Sequence, residues 1–192
     1  MRGRSRNVRG PRAVWRISDM RCIYGYTTAL FPKTPRPEEV RATGYHIQLI
    51  SPSAVVHPCQ LLWGLYHALR ESERGRARAR RVEVEALLWI TGSWQISEAF
   101  ERGGLKEGER EAFVLFFSEG CTCRDIDTAS PCRPADPPAE VLSALRRVGG
   151  ERKDITPGGR EAFRRLSGRD AEEEKLLEEV LRWITLKGGR AL

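Results

Sequence analysis

Residues 112–118 read AFVLFFS, a run with no polar side. A strand that is apolar on both of its alternating faces has to be covered on both, so this segment predicts the central strand of a sheet. Upstream, residues 23–29 (IYGYTTA) are rich in aromatic and β-branched types and read as a strand that stops at the proline-rich run over 31–37. Residues 45–50 (YHIQLI) alternate Ile47 and Leu49 against His46, Gln48 and Ile50, and end at Ser51 and Pro52.

The rest of the chain follows a helical period. After Pro58, whose missing N–H suits a first helical turn, Leu61, Leu62, Leu65, Tyr66 and Leu69 predict a helix to about Ser72. Val84, Leu87, Leu88 and Thr91 repeat the pattern over 82–91, and Gly92 fits the left-handed position beyond its end. A short helix over 95–102 is stopped by Gly103 and Gly104. The stretch 121–138, with three cysteines and four prolines, reads as a loop, and 140–148 is helical again. Thr156 and Pro157 open a helix through Leu166, and 172–186 place Leu176, Leu177, Val180, Leu181 and Ile184 on one face opposite an acidic one. Strands and helices that do not strictly alternate, with no internal repeat, predict a single α+β domain in which a small, mostly antiparallel sheet packs against a cluster of helices.

The 192 residues carry a net charge of +7, but residues 1–16 hold six arginines and no acid, so all but one of those charges sit there. Such a glycine-containing, apolar-poor stretch predicts a basic flexible tail ahead of a domain over 17–192. No apolar run approaches the length of a membrane span and the tail lacks a secretory core, so a cytosolic protein with no membrane partner is expected. One asparagine, three glutamines and many arginines and glutamates follow a thermophile-like trend.

Within the body, charge is concentrated over 70–81, where Arg70, Arg74, Arg76, Arg78, Arg80 and Arg81 face only Glu71 and Glu73. A guanidinium can grip phosphate with two hydrogen bonds and stack on a base, which suits a flexible single-stranded RNA end; the plain alternative is a solvated linker. Gly92, Ser93, Trp94 and Gln95 form a turn at a helix start, where free N–H groups attract phosphate and a tryptophan can stack on a base. The alternative there is a Trp94 that packs inward and a Gln95 that only caps. Ile96, Phe100 and Leu105 fall on one side of the short helix, as core or as a docking face.

Other chemistry is thin. His46, His57 and His67 lack metal-ligand spacing, and capping or surface roles are expected of them. Five cysteines (Cys22, Cys59, Cys121, Cys123, Cys132) form no even framework. Cys121, Cys123 and Cys132 supply three of the four thiols a structural zinc uses, with a disulfide inside the loop as the other option, so neither a metal nor a cofactor is assigned. The sequence contains no P-loop, dinucleotide glycine fingerprint, HExxH or nucleophile elbow.

Residues 50–105, ISPSAVVHPCQLLWGLYHALRESERGRARARRVEVEALLWITGSWQISEAFERGGL, resemble the kinase-associated small subunit of the KEOPS complex, the family that includes the PRPK-binding protein of eukaryotes. The elements that carry the resemblance are Ser51-Pro52, Pro58-x-Gln60-Leu61-Leu62, Glu85-Ala86-Leu87-Leu88, and Gln95-Ile96-Ser97-Glu98-Ala99 followed by Gly104-Leu105. It extends more weakly through AFVLFFSEG, Ile155-Thr156, Leu166 and the last helix. Ser93-Trp94 stands where archaeal members usually show threonine and a basic residue, and the cysteine loop is no family feature. The resemblance implies a non-catalytic subunit that holds the tRNA 3′ CCA end and contacts the KEOPS kinase, and other subunits through it, in support of threonylcarbamoyladenosine formation. RNA contact is then expected of Arg74, Arg76, Arg78, Arg80, Arg81, Ser93, Trp94 and Gln95, and kinase docking of Ile96, Phe100 and Leu105. The rival readings are a general RNA-binding protein acting through its basic tail and a thiol-dependent enzyme built on the cysteine loop.

Overall fold

The computed structural model describes residues 22–128 and 132–189; the expected basic tail over 1–16 lies outside them. Strands β1 (Tyr24–Leu30), β2 (Tyr45–Ile50), β3 (Glu111–Ser118) and β4 (Glu151–Arg152) form one antiparallel sheet in the order β2-β3-β1-β4. The apolar run is the strand with long partners on both sides: Leu115 lies opposite Tyr26 of β1 and Gln48 of β2.

Because strand side chains alternate, β3 feeds two cores. Phe113, Leu115 and Phe117 join Tyr26 and Ile50 on one face; Ala112, Val114 and Phe116 join Ala29, Phe31 and Leu49 on the other. Over the first face pack helices α1 (Cys59–Glu73), α2 (Val82–Thr91), α3 (Ile96–Gly103), α5 (Gly159–Ser167) and α6 (Leu176–Gly189), which bring Leu61, Leu65, Leu87, Leu88, Phe163, Val180 and Ile184. Over the second lies α4 (Ala139–Arg147), with Val141, Ala144 and Leu145. The α+β expectation therefore holds, with helices on both sides of the sheet. Among the described residues no helix is long and apolar enough to cross a membrane.

Two glycines set how close the helices approach. A Cβ on Gly64 of α1 would come within 2.5 Å of Ile90 Cγ1 on α2, so the two helices cross with almost no side chain between them. Gly92 takes φ +60° at the end of α2, and a Cβ there would run into the indole of Trp183 on α6. The turn that begins the candidate site is thus pressed onto the last helix.

The cysteines correct the sequence reading. Cys22 is bonded to Cys121 and Cys59 to Cys132, across 99 and 73 residues, so neither a disulfide closed within the loop nor a three-thiol zinc cluster forms. Among the described residues no group of His, Cys, Asp and Glu could hold a metal. Cys123 keeps its thiol, which donates to Glu73 Oε2 at 3.3 Å. The loop is also bonded to β1, because the Tyr26 hydroxyl donates to the Cys132 carbonyl and the Asp127 N–H to the Tyr24 hydroxyl. β4, which nothing in the apolar pattern announces, consists of two exposed residues paired with Ala29 and Leu30.

Candidate nucleic-acid interface

Helix α1 ends where Gly75 turns left-handed at φ +66°, and residues 74–81 carry the chain to α2. The linker is folded onto buried carboxylates. Glu71 accepts from Arg76 Nε at 2.9 Å and from Arg70 Nε at 3.0 Å, with Arg74 Nη1 at 3.7 Å. Burial favours its neutral form, but the hydrogen bonds from Arg76 and Arg70 outweigh that and lower its pKa.

Glu85, 1% exposed, accepts from five donors: the backbone N–H groups of Arg78 and Ala79, Arg78 Nε and Nη2, and Trp89 Nε1. Arg78 Nη1 donates in turn to the Ser93 carbonyl at 3.1 Å, tying the linker to the turn after α2. Arg81 pairs with Glu83, whose other oxygen is 3.0 Å from His46 Nδ1. Burial raises the Glu83 pKa, but hydrogen bonds from His46, the backbone and Arg81 hold it at about 2. Arg80 is exposed and has no ion pair among the described residues. The six arginines are therefore unequal: Arg78 is an internal tie, Arg70 is half-buried on Glu71, Arg74, Arg76 and Arg81 are paired but open to solvent, and Arg80 has no ion pair among the described residues.

In the turn, Ser93 is 1% exposed; its hydroxyl lies 3.0 Å from that of Thr91 and its N–H donates to the Leu88 carbonyl. Trp94 does not pack inward. The residue is 39% exposed, and the Arg78 guanidinium lies over the ring at 5.2 Å. Gln95 precedes α3 without a side-chain capping bond and is exposed.

On α3, Ala99 and Gly103 face inward, and a Cβ on Gly103 would touch Thr91 and Leu87. Ile96 and Phe100, four apart, therefore face outward at 44% and 36% exposure. Phe100 and Leu105 line a cleft of about 100 Å³ together with Pro35, Pro37, Gln48 and Leu49. A core role for Ile96 and Phe100 is thereby set aside, while Leu105 is half-buried against the second core.

The profile of the family described as kinase binding protein CGI-121 matches residues 38–148, more than half of the chain. The chain belongs to the CGI-121 family. It is also 33% identical over 66 residues to the EKC/KEOPS complex subunit CGI121 of Kluyveromyces lactis; the match takes in 34% of this chain and 42% of that protein, less than half of the relative's length. The family segment contains the arginine linker, the turn and all of α3.

Other residues of this CGI-121 segment carry weight that side-chain type alone did not reveal. Gln60 is fully buried; its carbonyl accepts from the Val56 N–H and its amide donates to the Ala54 and Ile90 carbonyls, so it joins the entry of α1 to the end of α2. Its place in the Pro58-x-Gln60-Leu61-Leu62 motif is structural. His57 caps α1 as expected, accepting from the Cys59 N–H.

His67 is neither cap nor surface. It is 2% exposed, stacks on Trp89 at 4.5 Å, meets Trp63 and Tyr66 edge-on, and neither ring nitrogen has a hydrogen bond among the described residues. Burial first, then the nearby Arg70, push its pKa down to about 4 against the pull of Glu71. The unfolded chain thus takes up this proton near pH 6.5 while the folded chain refuses it until about pH 4, so stability falls as pH is lowered through that window. We expect a loss of about 2 kcal/mol between pH 7.5 and pH 5 in urea denaturation, most of it abolished in His67→Phe. An unchanged slope in that variant would place the proton uptake elsewhere.

Proposed function

We propose that this protein is a non-catalytic subunit of a KEOPS assembly, holding the 3′ CCA end of tRNA and docking on the assembly's kinase in a cytosolic setting. The observation that carries the proposal is that the family segment holds an arginine linker open to solvent and an exposed tryptophan, and that Arg78 ties the one to the other. Arg74, Arg76, Arg80 and Arg81 supply the field for phosphates, and Trp94 and Gln95 meet the bases. Ile96, Phe100 and the cleft edge at Leu105 form an apolar patch beside that grip, suited to the kinase.

Its contribution is positional. Fixing one end of a long RNA raises the local concentration of its modified loop at an active site elsewhere in the assembly, without any chemistry here. The thiol-enzyme reading is the less supported one, since Cys121 and Cys132 are in disulfides, and burial and Glu73 raise the pKa of the free Cys123 thiol, which disfavours its thiolate.

The docking half is tested separately from the RNA half. Phe100→Asp is expected to abolish co-purification with the KEOPS kinase subunit while tRNA affinity changes less than about twofold. Joint loss of both would mean that the patch belongs to the RNA grip, and retained co-purification would place docking elsewhere.

A further inference from the structure

Arg78 is the central residue of a layered stack. His67 lies against Trp89 at 4.5 Å with an interplanar angle of 13°, the Arg78 guanidinium is 5.2 Å from the Trp89 ring centroid, and the same guanidinium is 5.2 Å from that of Trp94. The first two rings are buried and the last is exposed, so the stack leads from the core to the surface. In its own plane the guanidinium is also occupied: Nε and Nη2 donate to Glu85, and Nη1 to the Ser93 carbonyl. With two indole rings at 5.2 Å and three N–H groups engaged, Arg78 has little left for a phosphate.

Trp94 is in the complementary condition. Its ring is held through the cation, yet 39% of the residue is open to solvent and its indole makes no hydrogen bond among the described residues. An aromatic surface backed by a fixed cation and wet above is the form a stacking site takes, and the backing matters because a mobile ring spends binding energy on being ordered. The linker that carries Arg78 also carries Arg74, Arg80 and Arg81, all open to solvent, which provide positive charge for a polyanion.

We infer that Arg78 is a positioning residue rather than an RNA contact: clamped by Glu85, it sets the indole of Trp94 as a platform on which one nucleobase of a single-stranded RNA end stacks. This rests on the RNA-gripping reading above and adds how the turn is made ready. Stacking accepts any base, so the platform registers that a base is present and not which one.

The test measures binding of a labelled acceptor-stem RNA ending in CCA, and of the same RNA made abasic at each of the three terminal positions in turn. Wild type is expected to bind one abasic RNA about tenfold more weakly than the intact one, and Trp94→Ala to lose about tenfold on intact RNA and to stop distinguishing the two. Trp94→Phe restores most of both. Arg78→Lys, which keeps the charge but loses the fork, lowers affinity to the Trp94→Ala level; the double variant loses no more, and the salt dependence stays that of wild type. Glu85→Gln, checked for retained fold by its melting profile, blunts the abasic discrimination in the same way.

The inference is overturned if Arg78→Lys leaves discrimination intact. It is equally overturned if the losses multiply in the double variant and Arg78→Gln reduces the salt slope by about 0.7, the mark of a lost phosphate contact. A wild type that binds the RNA but ignores every abasic change removes the platform alone; one that binds none of the RNAs removes the gripping reading as well.

Discussion

Glu85→Ala is expected to lower the unfolding free energy by about 3 to 5 kcal/mol, the range for removing one partner of a buried charge pair. The carboxylate is 1% exposed and accepts from two backbone N–H groups, the Trp89 indole and the Arg78 guanidinium. Alanine leaves the two N–H groups and the indole without an acceptor and the guanidinium with only the Ser93 carbonyl, and the linker loses its fixed point on α2. Because the Arg78 side chain is 24% exposed, its head can recover some water, which places the loss toward the lower end of the range. Glu85→Gln keeps the shape and one oxygen and should cost roughly half as much. Urea denaturation gives both values; a loss under about 1 kcal/mol in the alanine variant would mean that the network contributes geometry but little stability.

Reduction of the disulfides is the second large effect. Cys22–Cys121 and Cys59–Cys132 close loops of 99 and 73 residues, and in the chain-entropy model each bond of that span contributes about 4 to 5 kcal/mol through the unfolded state. That is comparable with the lower end of the stability margin of a typical domain, so losing one bridge should lower the melting temperature by about 8 to 20 °C. The comparison is best made in a Cys123→Ser background, with and without a thiol reductant and with free thiols counted after unfolding. Full reduction with no change in melting would show that the hydrogen bonds from the loop to Tyr24 and Tyr26 suffice to hold it.

Much of this architecture is legible in the residues because its signals are local. AFVLFFS is apolar on both alternating faces and is short and aromatic-rich, which a strand between two layers satisfies better than a buried helix. The leucine spacing of α1 and the glycine after α2 mark their elements in the same way. The disulfide partners are not legible, because pairing depends on which residues the sheet brings together: β1 lies beside β3, and this alone carries Cys22 to Cys121. The two-residue β4 has no apolar alternation and exists only through the edge of β1.

The candidate site was legible as composition but not as division of labour. Six arginines in twelve residues mark a basic segment whatever they touch. That Arg78 faces inward depends on Glu85, seven residues on and one helical turn inside α2, and a tally of charges over 70–81 leaves that acid out. A buried carboxylate shortly after an arginine run is the signal that separates a tie from a contact. His67 shows the same limit: a histidine among Trp63, Tyr66 and Leu69 at helical spacing can be read as core, but its lack of polar partners emerges only once Trp89 is laid across it.

The most direct test of the central claim compares the dissociation constant of one tRNA with its CCA end intact and with the three terminal nucleotides removed, using the chain lacking residues 1–16. The account predicts that tail removal leaves affinity nearly unchanged, whereas trimming the CCA end, or replacing Arg80 and Arg81 by glutamate, weakens binding at least tenfold. Equal affinity for intact and trimmed tRNA, or binding that disappears with the tail alone, would contradict it.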